Sequence, residues 1–237
     1  MKKFFEKNEL FISIFLIVLY LVLNSICLSS FGEFDFRTML ANVILSLFII
    51  SFILFNKLGD YFNLTRIPNP KKFLYFIPLV ILMSINLWGG ISREHSFYEC
   101  IFYIGSMLCV GFLEEIIFRG FLFKMMAKDN LKSAIIVTTI TFGIGHIINL
   151  FNGADLIPTL IQIIYAMATG YLFAMIVVYG KSLWPCIITH SVVNALSCFV
   201  VENVMTIYVG PILLTVIPLA YAFYIKKRTY EGNKKTS

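Results

Sequence analysis

The sequence predicts an all-α polytopic membrane protein, a bundle of about eight transmembrane helices. Of its 237 residues, 59% are hydrophobic and 14% are charged, against roughly 25% charged residues in soluble domains. The apolar residues also come in long runs rather than in the 3.6-residue stripe of a surface helix. A soluble core of this length could not bury so much apolar surface, so we interpret residues 1–237 as one integral membrane domain.

The apolar runs give the count of helices. A spanning helix needs about 20 apolar residues, within a range of about 17–25. The five clear runs are Leu10–Leu28, Met39–Phe55, Leu156–Tyr179, Leu183–Val201 and Val204–Ile225. Three shorter or interrupted runs gain length from their flanks, namely Phe73–Trp88, Ile101–Phe118 and Ser133–Ile148. The first run exceeds the ~7–15 apolar residues of a signal peptide, so we expect it to be a retained helix.

The basic residues predict the orientation. With the N-terminus inside, the predicted inner segments hold all of the 19 Lys and Arg residues except Arg37 and Arg93. This asymmetry is what the positive-inside rule requires. Both termini are therefore expected in the cytoplasm, and residues 226–237 form a short basic cytoplasmic tail. The net charge of +6 then indicates attraction to anionic membrane lipids and no binding of nucleic acid.

A few polar residues interrupt the apolar runs. They are Glu114, Glu115, His146, His190 and Asn194. A charged side chain at mid-membrane costs at least about 2.5 kcal/mol, so such groups are rare and usually functional. Each also has a structural interpretation, because a lone histidine can be a packing residue and Asn194 can bond a neighbouring helix. Their joint occurrence on three helices favours a functional site inside the bundle, within a core of about residues 101–201.

Helical spacing separates the two glutamates. Glu115 and Arg119 are four residues apart, share a helix face and can pair. Glu114 is rotated by about 100° and is expected to point into a cavity. His190 and Asn194 also share a face. His146 is predicted to lie deeper than the other groups, about 21 Å from Lys132 at ~1.5 Å per residue, a mismatch that the sequence leaves open.

Other candidate groups receive plain interpretations. The five cysteines contain no C-x-x-C pair and are expected to be free, although pairing of Cys27 with Cys100 stays open. His95 lies in a predicted outer loop and is expected to be a solvated surface residue. No Ser or Cys stands in an evident nucleophile context, which favours direct attack by water in any hydrolytic reaction.

Three short motifs resemble the signature of the type II CAAX prenyl endopeptidases, also called the CPBP (CAAX protease and bacteriocin-processing) intramembrane proteases. The family pattern is E-E-x-x-x-R, then F-x-x-x-H, then H-x-x-x-N. Here it reads Glu114-Glu115-Ile-Ile-Phe-Arg119, Phe142-Gly-Ile-Gly-His146 and His190-Ser-Val-Val-Asn194. The resemblance covers about residues 111–197 and follows the family's motif order on helices four, five and seven.

The resemblance implies roles for these residues. Glu114 and His146 would activate the attacking water, and His190 and Asn194 would hold the oxyanion. The supporting residues would be Glu115, Arg119 and Phe142. The resemblance implies no required cofactor; zinc is the alternative, with Glu114, His146 and His190 as its ligands. The H-E-x-x-H zinc motif is absent.

The implied function is an intramembrane endopeptidase, in the plasma membrane of a prokaryote, with access from the cytoplasm. Its substrate would be a membrane-associated peptide, either lipid-modified or a precursor. One alternative is a bacteriocin immunity or peptide-binding protein of the same family that needs no hydrolysis. Another is a small proton-coupled transporter, which the lack of an internal repeat disfavours.

Overall fold

Every regular element of the chain is a helix within residues 2–66 and 76–234, the residues that this computed structural model describes. The α-helices, numbered along the chain, are α1 Lys2–Lys7, α2 Glu9–Phe31, α3 Phe36–Phe55, α4 Ile77–Ser84, α5 Phe97–Glu115, α6 Phe123–Met126, α7 Leu131–Gly145, α8 Ile148–Phe151, α9 Leu156–Gly180, α10 Trp184–Leu196 and α11 Gly210–Lys234. Two 3₁₀ turns, Ile85–Leu87 and Ser197–Phe199, and two π-helical segments, Ile116–Leu122 and Met205–Val209, extend them.

The predicted all-α polytopic class is confirmed. Six helical stretches are long and apolar enough to span a membrane: Glu9–Phe31, Phe36–Phe55, Phe97–Met126, Leu131–Phe151, Leu156–Gly180 and Met205–Arg228. Two shorter apolar stretches, Ile77–Leu87 and Trp184–Phe199, complete the bundle. The chain is thus an integral membrane protein. The predicted start of helix three at Phe73 and the basic residues Lys71, Lys72 and Lys235 lie outside the described residues.

The predicted basic tail begins as a helix. We predicted this tail at residues 226–237, and the backbone continues into it as α11 through Lys234. The seven residues from Lys226 to Gly232 include no proline, so no residue among them lacks the backbone N–H that a continuing helix needs. Lys226, Lys227 and Arg228 therefore stand on the last turns of a helix rather than in a loop.

Side-chain caps fix where the site-bearing helices begin. Ser96 accepts a hydrogen bond from the backbone N–H of Glu99, whose carboxylate accepts one from the N–H of Ser96, so α5 starts with a capping box. Asn130 caps α7 by accepting from the N–H of Ser133. The first residues of α5 and α7 therefore determine the helical positions that their motif residues occupy in the bundle.

Glycine brings α5 and α10 into close contact. A Cβ on Gly111 would lie 2.5 Å from the backbone N and Cα of Ser191, so no larger residue fits there without separating the helices. The hydroxyl of Ser191 donates to the carbonyl of Leu108 across the same contact, at 3.0 Å. Glu114 and Glu115 follow Gly111 within four residues, and His190 immediately precedes Ser191, so the crossing brings the glutamates close to His190.

An aromatic cluster closes the end of the bundle that carries both termini. Its members are Phe5, Phe52, Tyr61, Phe62 and Phe121. Ring centroids lie 5.9 Å apart between Phe5 and Phe121, and 4.6 Å apart between Phe62 and Phe121. Through Phe121, these rings pack against the π-helical segment Ile116–Leu122.

Large apolar side chains cover the outside of the bundle. Phe11, Leu54, Phe55 and Ile157 are each at least 67% exposed. Soluble monomers rarely expose contiguous apolar patches of this kind, whereas a bilayer is a favourable environment for them.

Candidate active site

The two glutamates close α5 immediately before its helical geometry changes. Glu114 and Glu115 are the last residues of α5, and the π-helical segment Ile116–Leu122 follows without a break. Such π segments inside α-helices are frequent at functional sites. Both carboxylates are buried, Glu115 completely. Arg119 lies within this π-helical segment and pairs with Glu115. The prediction of orientation from the basic residues counted it in an inner segment.

One oxygen of Glu115, Oε1, has two partners, whereas its Oε2 is buried without a hydrogen-bond partner. Its Oε1 lies 2.9 Å from Nη1 of Arg119, so the predicted pair is confirmed. The same oxygen lies 2.8 Å from Nδ1 of His190. Arg119 is itself 1% exposed, and its guanidinium lies 4.0 Å above the Phe142 ring and 5.7 Å from the Phe173 ring centroid, a cation–π arrangement. Glu115 is thereby tied to α10 as well as to its own helix.

Gly170 on α9 makes room for this arrangement. A Cβ there would lie 2.8 Å from Nη2 of Arg119 and 3.1 Å from the Phe142 ring. Ala166 and Ala174, which lie one turn before and one turn after Gly170 and form a stripe of small residues with it, are both buried. The stripe therefore lets α9 approach the guanidinium closely.

Glu114 has different surroundings from Glu115. Its Oε1 accepts a hydrogen bond of 2.6 Å from the hydroxyl of Tyr20 on α2. Its Oε2 is buried, has no hydrogen-bond partner and lies 3.5 Å from Nε2 of His190. A buried ionised oxygen without a donor is costly, so Oε2 is the atom at which a water or substrate proton is expected.

The histidines meet around Phe142. His146 follows the last residue of α7, and its ring centroid lies 5.5 Å from that of Phe142. The Phe142 ring lies 5.7 Å from that of His190 on its other side. His146 and Glu114 line one cavity, so the depth mismatch that the sequence suggested does not separate them. Tertiary packing of α7 brings His146 to the level of the glutamates.

All four predicted catalytic residues border one cavity of about 390 Å³. Glu114, His146, His190 and Asn194 lie at its floor and wall, and Asn194 stands one turn after His190 on α10. Toward the other end of the bundle the lining includes Leu28, Glu33, Tyr103 and Ser197, with amides contributed by Asn24, Asn86, Asn149 and Gln162. A second crevice of about 40 Å³, between α2 and α7–α8, also reaches Glu114 and His146.

The cavity reaches the loop between α2 and α3, where Glu33 is part of its lining. Access from the cytoplasm stays a prediction. Partial burial raises the pKa of Glu33, and His95 opposes this rise. His95 is not simply solvated as predicted, because its ring stacks on Phe34 with centroids 3.8 Å apart.

Metal-binding side chains are not grouped in threes in the part of the chain that the structure describes. Within residues 2–66 and 76–234, no three His, Cys, Asp or Glu side chains are grouped so that they could hold one metal ion. The alternative that the resemblance implied, zinc held by Glu114, His146 and His190, stays a hypothesis. All five cysteines, including Cys27 and Cys100, are free.

Sequence reasoning missed Tyr20. The first helix carries no motif, and a tyrosine in an apolar run is unremarkable by type. The signal that could have found it is the depth of each residue along its helix. Tyr20 lies 11 residues from Glu9, and Glu114 lies 12 residues from Met126. At ~1.5 Å per residue, the two side chains are therefore at similar distances from the inner ends of their helices.

Comparison with known proteins finds one family model that covers all three motifs. Residues 96–196 match the family model described as Type II CAAX prenyl endopeptidase Rce1-like. This confirms the recognition made from the three motifs, all of which lie within the match, whereas Tyr20 and α11 lie outside it. No curated protein and no solved structure matches the chain.

Proposed function

From the match of residues 96–196 to the Rce1-like type II CAAX prenyl endopeptidase family, we propose that this membrane protein is an intramembrane endopeptidase. It hydrolyses a peptide bond of a membrane-associated peptide, lipid-modified or precursor, through water activated by Glu114 and His146. The observation that carries the proposal is the buried Oε2 of Glu114, which has no hydrogen-bond partner and belongs to a residue lining the same cavity as His146, His190 and Asn194.

The first step is attack by water. Oε2 of Glu114 accepts a proton from water as the water oxygen bonds to the scissile carbonyl carbon, with His146 orienting the water from α7. A carboxylate held in an apolar cavity is a suitable general base. The carbonyl π electrons move to oxygen and give a tetrahedral oxyanion. The C=O bond then re-forms as the bond to nitrogen breaks, and Glu114 returns its proton to the leaving amine, so the products are a carboxylic acid and an amine.

His190 and Asn194 stabilise the oxyanion. Fixed donors in a site that excludes water are effective for this purpose. An ionised Glu115 can only accept, so its contact with Nδ1 of His190 requires a proton on Nδ1. Nε2 then donates to an oxyanion only when the ring carries both protons. Two glutamates and Arg119 sum to one negative charge, which an imidazolium at His190 neutralises. Glu115 and Arg119 thus act as positioning residues for His190.

The proposed location is the plasma membrane of a prokaryote, with both termini in the cytoplasm. The basic asymmetry supports this orientation. The partners in this proposal are membrane lipids and the peptide substrate.

Two assays test the proposal. The first compares the peptides of cells that express the wild-type protein with those of cells that express Glu114→Ala. The second measures cleavage of an internally quenched peptide with a farnesylated C-a-a-X end, and of its unprenylated twin, by purified protein in bicelles. Cleavage that requires Glu114 supports the proposal. Peptide pools that do not differ, together with no cleavage of either probe, would favour the non-hydrolytic immunity or peptide-binding alternative.

A further inference from the structure

The first long helix contributes a side chain to the candidate active site. Tyr20 of α2 is 2% exposed, and its hydroxyl donates a 2.6 Å hydrogen bond to Oε1 of Glu114, 94 residues away in sequence. Hydrogen bonds of this length to a carboxylate are stronger than those between neutral groups. The helix lies outside the segment that matches the family, so nothing in the motif comparison assigns Tyr20 a role.

The bond distinguishes the two oxygens of the base. The terminal torsion of a glutamate is broad, and its two carboxylate oxygens exchange easily by rotation. With Oε1 held by Tyr20, that rotation is restrained, and Oε2 faces Nε2 of His190 at 3.5 Å without a hydrogen-bond partner. The hydroxyl therefore selects the oxygen that is available to a water molecule.

The packing of α2 brings Tyr20 to this position. The buried residues of α2 are Glu9, Ser13, Leu16 and Tyr20, a stripe with spacings of four, three and four residues, which is one helix face. Along this otherwise lipid-facing helix, two polar contacts flank Tyr20. Glu9 binds Nζ of Lys128 at 2.6 Å with both oxygens, and Ser25 donates to Asn152 at 2.6 Å.

We propose that Tyr20 is a positioning residue of the hydrolytic site, holding Oε1 of Glu114 so that Oε2 alone takes the proton from the attacking water. This inference rests on the proposed function. Tyr20 keeps its own proton throughout; the transferred proton passes from water to Oε2 and then to the leaving amine. Without the hydroxyl, the carboxylate rotates, and a smaller fraction of molecules presents an oxygen to the water.

The test is the variant Tyr20→Phe, which removes the donor and keeps the ring. Its matched control is Tyr61→Phe, which removes a hydroxyl from the aromatic cluster away from Glu114. Both are assayed with the quenched farnesylated peptide in bicelles, per folded molecule. Tyr20→Phe should lower kcat about 10- to 100-fold, the range for losing a hydrogen bond to a charged group. KM should stay within about twofold because the base acts after binding.

A second substitution separates positioning from folding. Replacing Tyr20 with 3-fluorotyrosine keeps the ring and the donor, and should keep kcat within about threefold of the wild type. Three results would overturn the inference: a kcat of Tyr20→Phe equal to that of Tyr61→Phe, a change in KM alone, or an equal loss of kcat with 3-fluorotyrosine. The proposed function still stands in these cases if the wild type cleaves the peptide and Glu114→Gln does not. A wild-type protein that cleaves neither probe overturns both.

Discussion

His190 and Glu115 are joined by a hydrogen bond of 2.8 Å between Nδ1 and Oε1, although 75 residues separate them in sequence. Glu115 therefore does more than pair with Arg119, because it also fixes the ring of His190 from behind. The neighbouring Glu114 has Tyr20 on one oxygen and the cavity on the other. Two adjacent glutamates thus occupy environments that suit different tasks, and this contrast leads to the first two predictions.

Glu114→Gln should abolish turnover and leave the protein folded. The amide keeps the shape of the side chain and still accepts from Tyr20, but it takes no proton from water. Losing a general base typically lowers the rate ~10²–10⁴-fold. Cleavage rates at matched membrane abundance, with thermal unfolding measured alongside, check this. Near-normal turnover in Glu114→Gln would show that Glu114 is not the general base.

Glu115→Gln should lower stability as well as activity. The substitution leaves Arg119 buried without its carboxylate, and breaking a buried pair in this way costs about 3–5 kcal/mol. The double variant Glu115→Gln/Arg119→Gln should recover part of the lost thermal stability. It should not recover turnover, because His190 still lacks its charged anchor. A double variant with full activity would show that the contact between Glu115 and His190 is dispensable.

Gly111→Ala should destabilise the protein by pushing α5 away from α10. The added methyl meets backbone atoms of Ser191 at 2.5 Å, and backbone cannot move aside as a flexible side chain does. Overpacking of this kind costs about 1–3 kcal/mol or more.

Gly180→Ala is the matched control, since its Cβ would meet only the Ile176 side chain at an ordinary 3.6 Å. Thermal unfolding in detergent compares the two. Equal stability of Gly111→Ala and Gly180→Ala would contradict the close α5–α10 contact.

Zinc should not be required for activity. Glu114 and His146 suffice to activate water, and the described residues form no cluster of three metal-binding side chains. Purified protein should carry well under one zinc per chain by elemental analysis and should keep its activity after chelation. A stoichiometric metal that is lost together with activity, and is absent from His146→Ala, would contradict this prediction.

Reporter fusions should confirm the orientation. Fusions after Lys57, Lys128, Lys181 and Lys226 should report the cytoplasm, because these positions fall at the basic ends of the helices. Fusions near Asp35, Arg93 and Asp155 should report the outside. An external signal from any position of the first set would contradict the arrangement of eight helices.

Within single helices, the sequence determined a great deal. Runs of about 20 apolar residues specified the spans because a bilayer imposes a length on any helix that crosses it. Spacing also predicted the pairing of Glu115 with Arg119, since residues four apart are neighbours on a helix surface. The three motifs identified the family segment. The extension of α11 through Lys234 was missed because polar residues do not by themselves end a helix.

Tertiary structure decided everything that joins one helix to another. The bond from Tyr20 to Glu114, the anchoring of His190 by Glu115 and the direction of the cavity depend on how helices are rotated and shifted against each other. That arrangement follows from close contacts such as Gly111 against Ser191 and from the aromatic cluster that closes one end. Hydropathy and spacing carry little of this information, because the faces of a membrane helix that meet lipid and those that meet protein are both largely apolar.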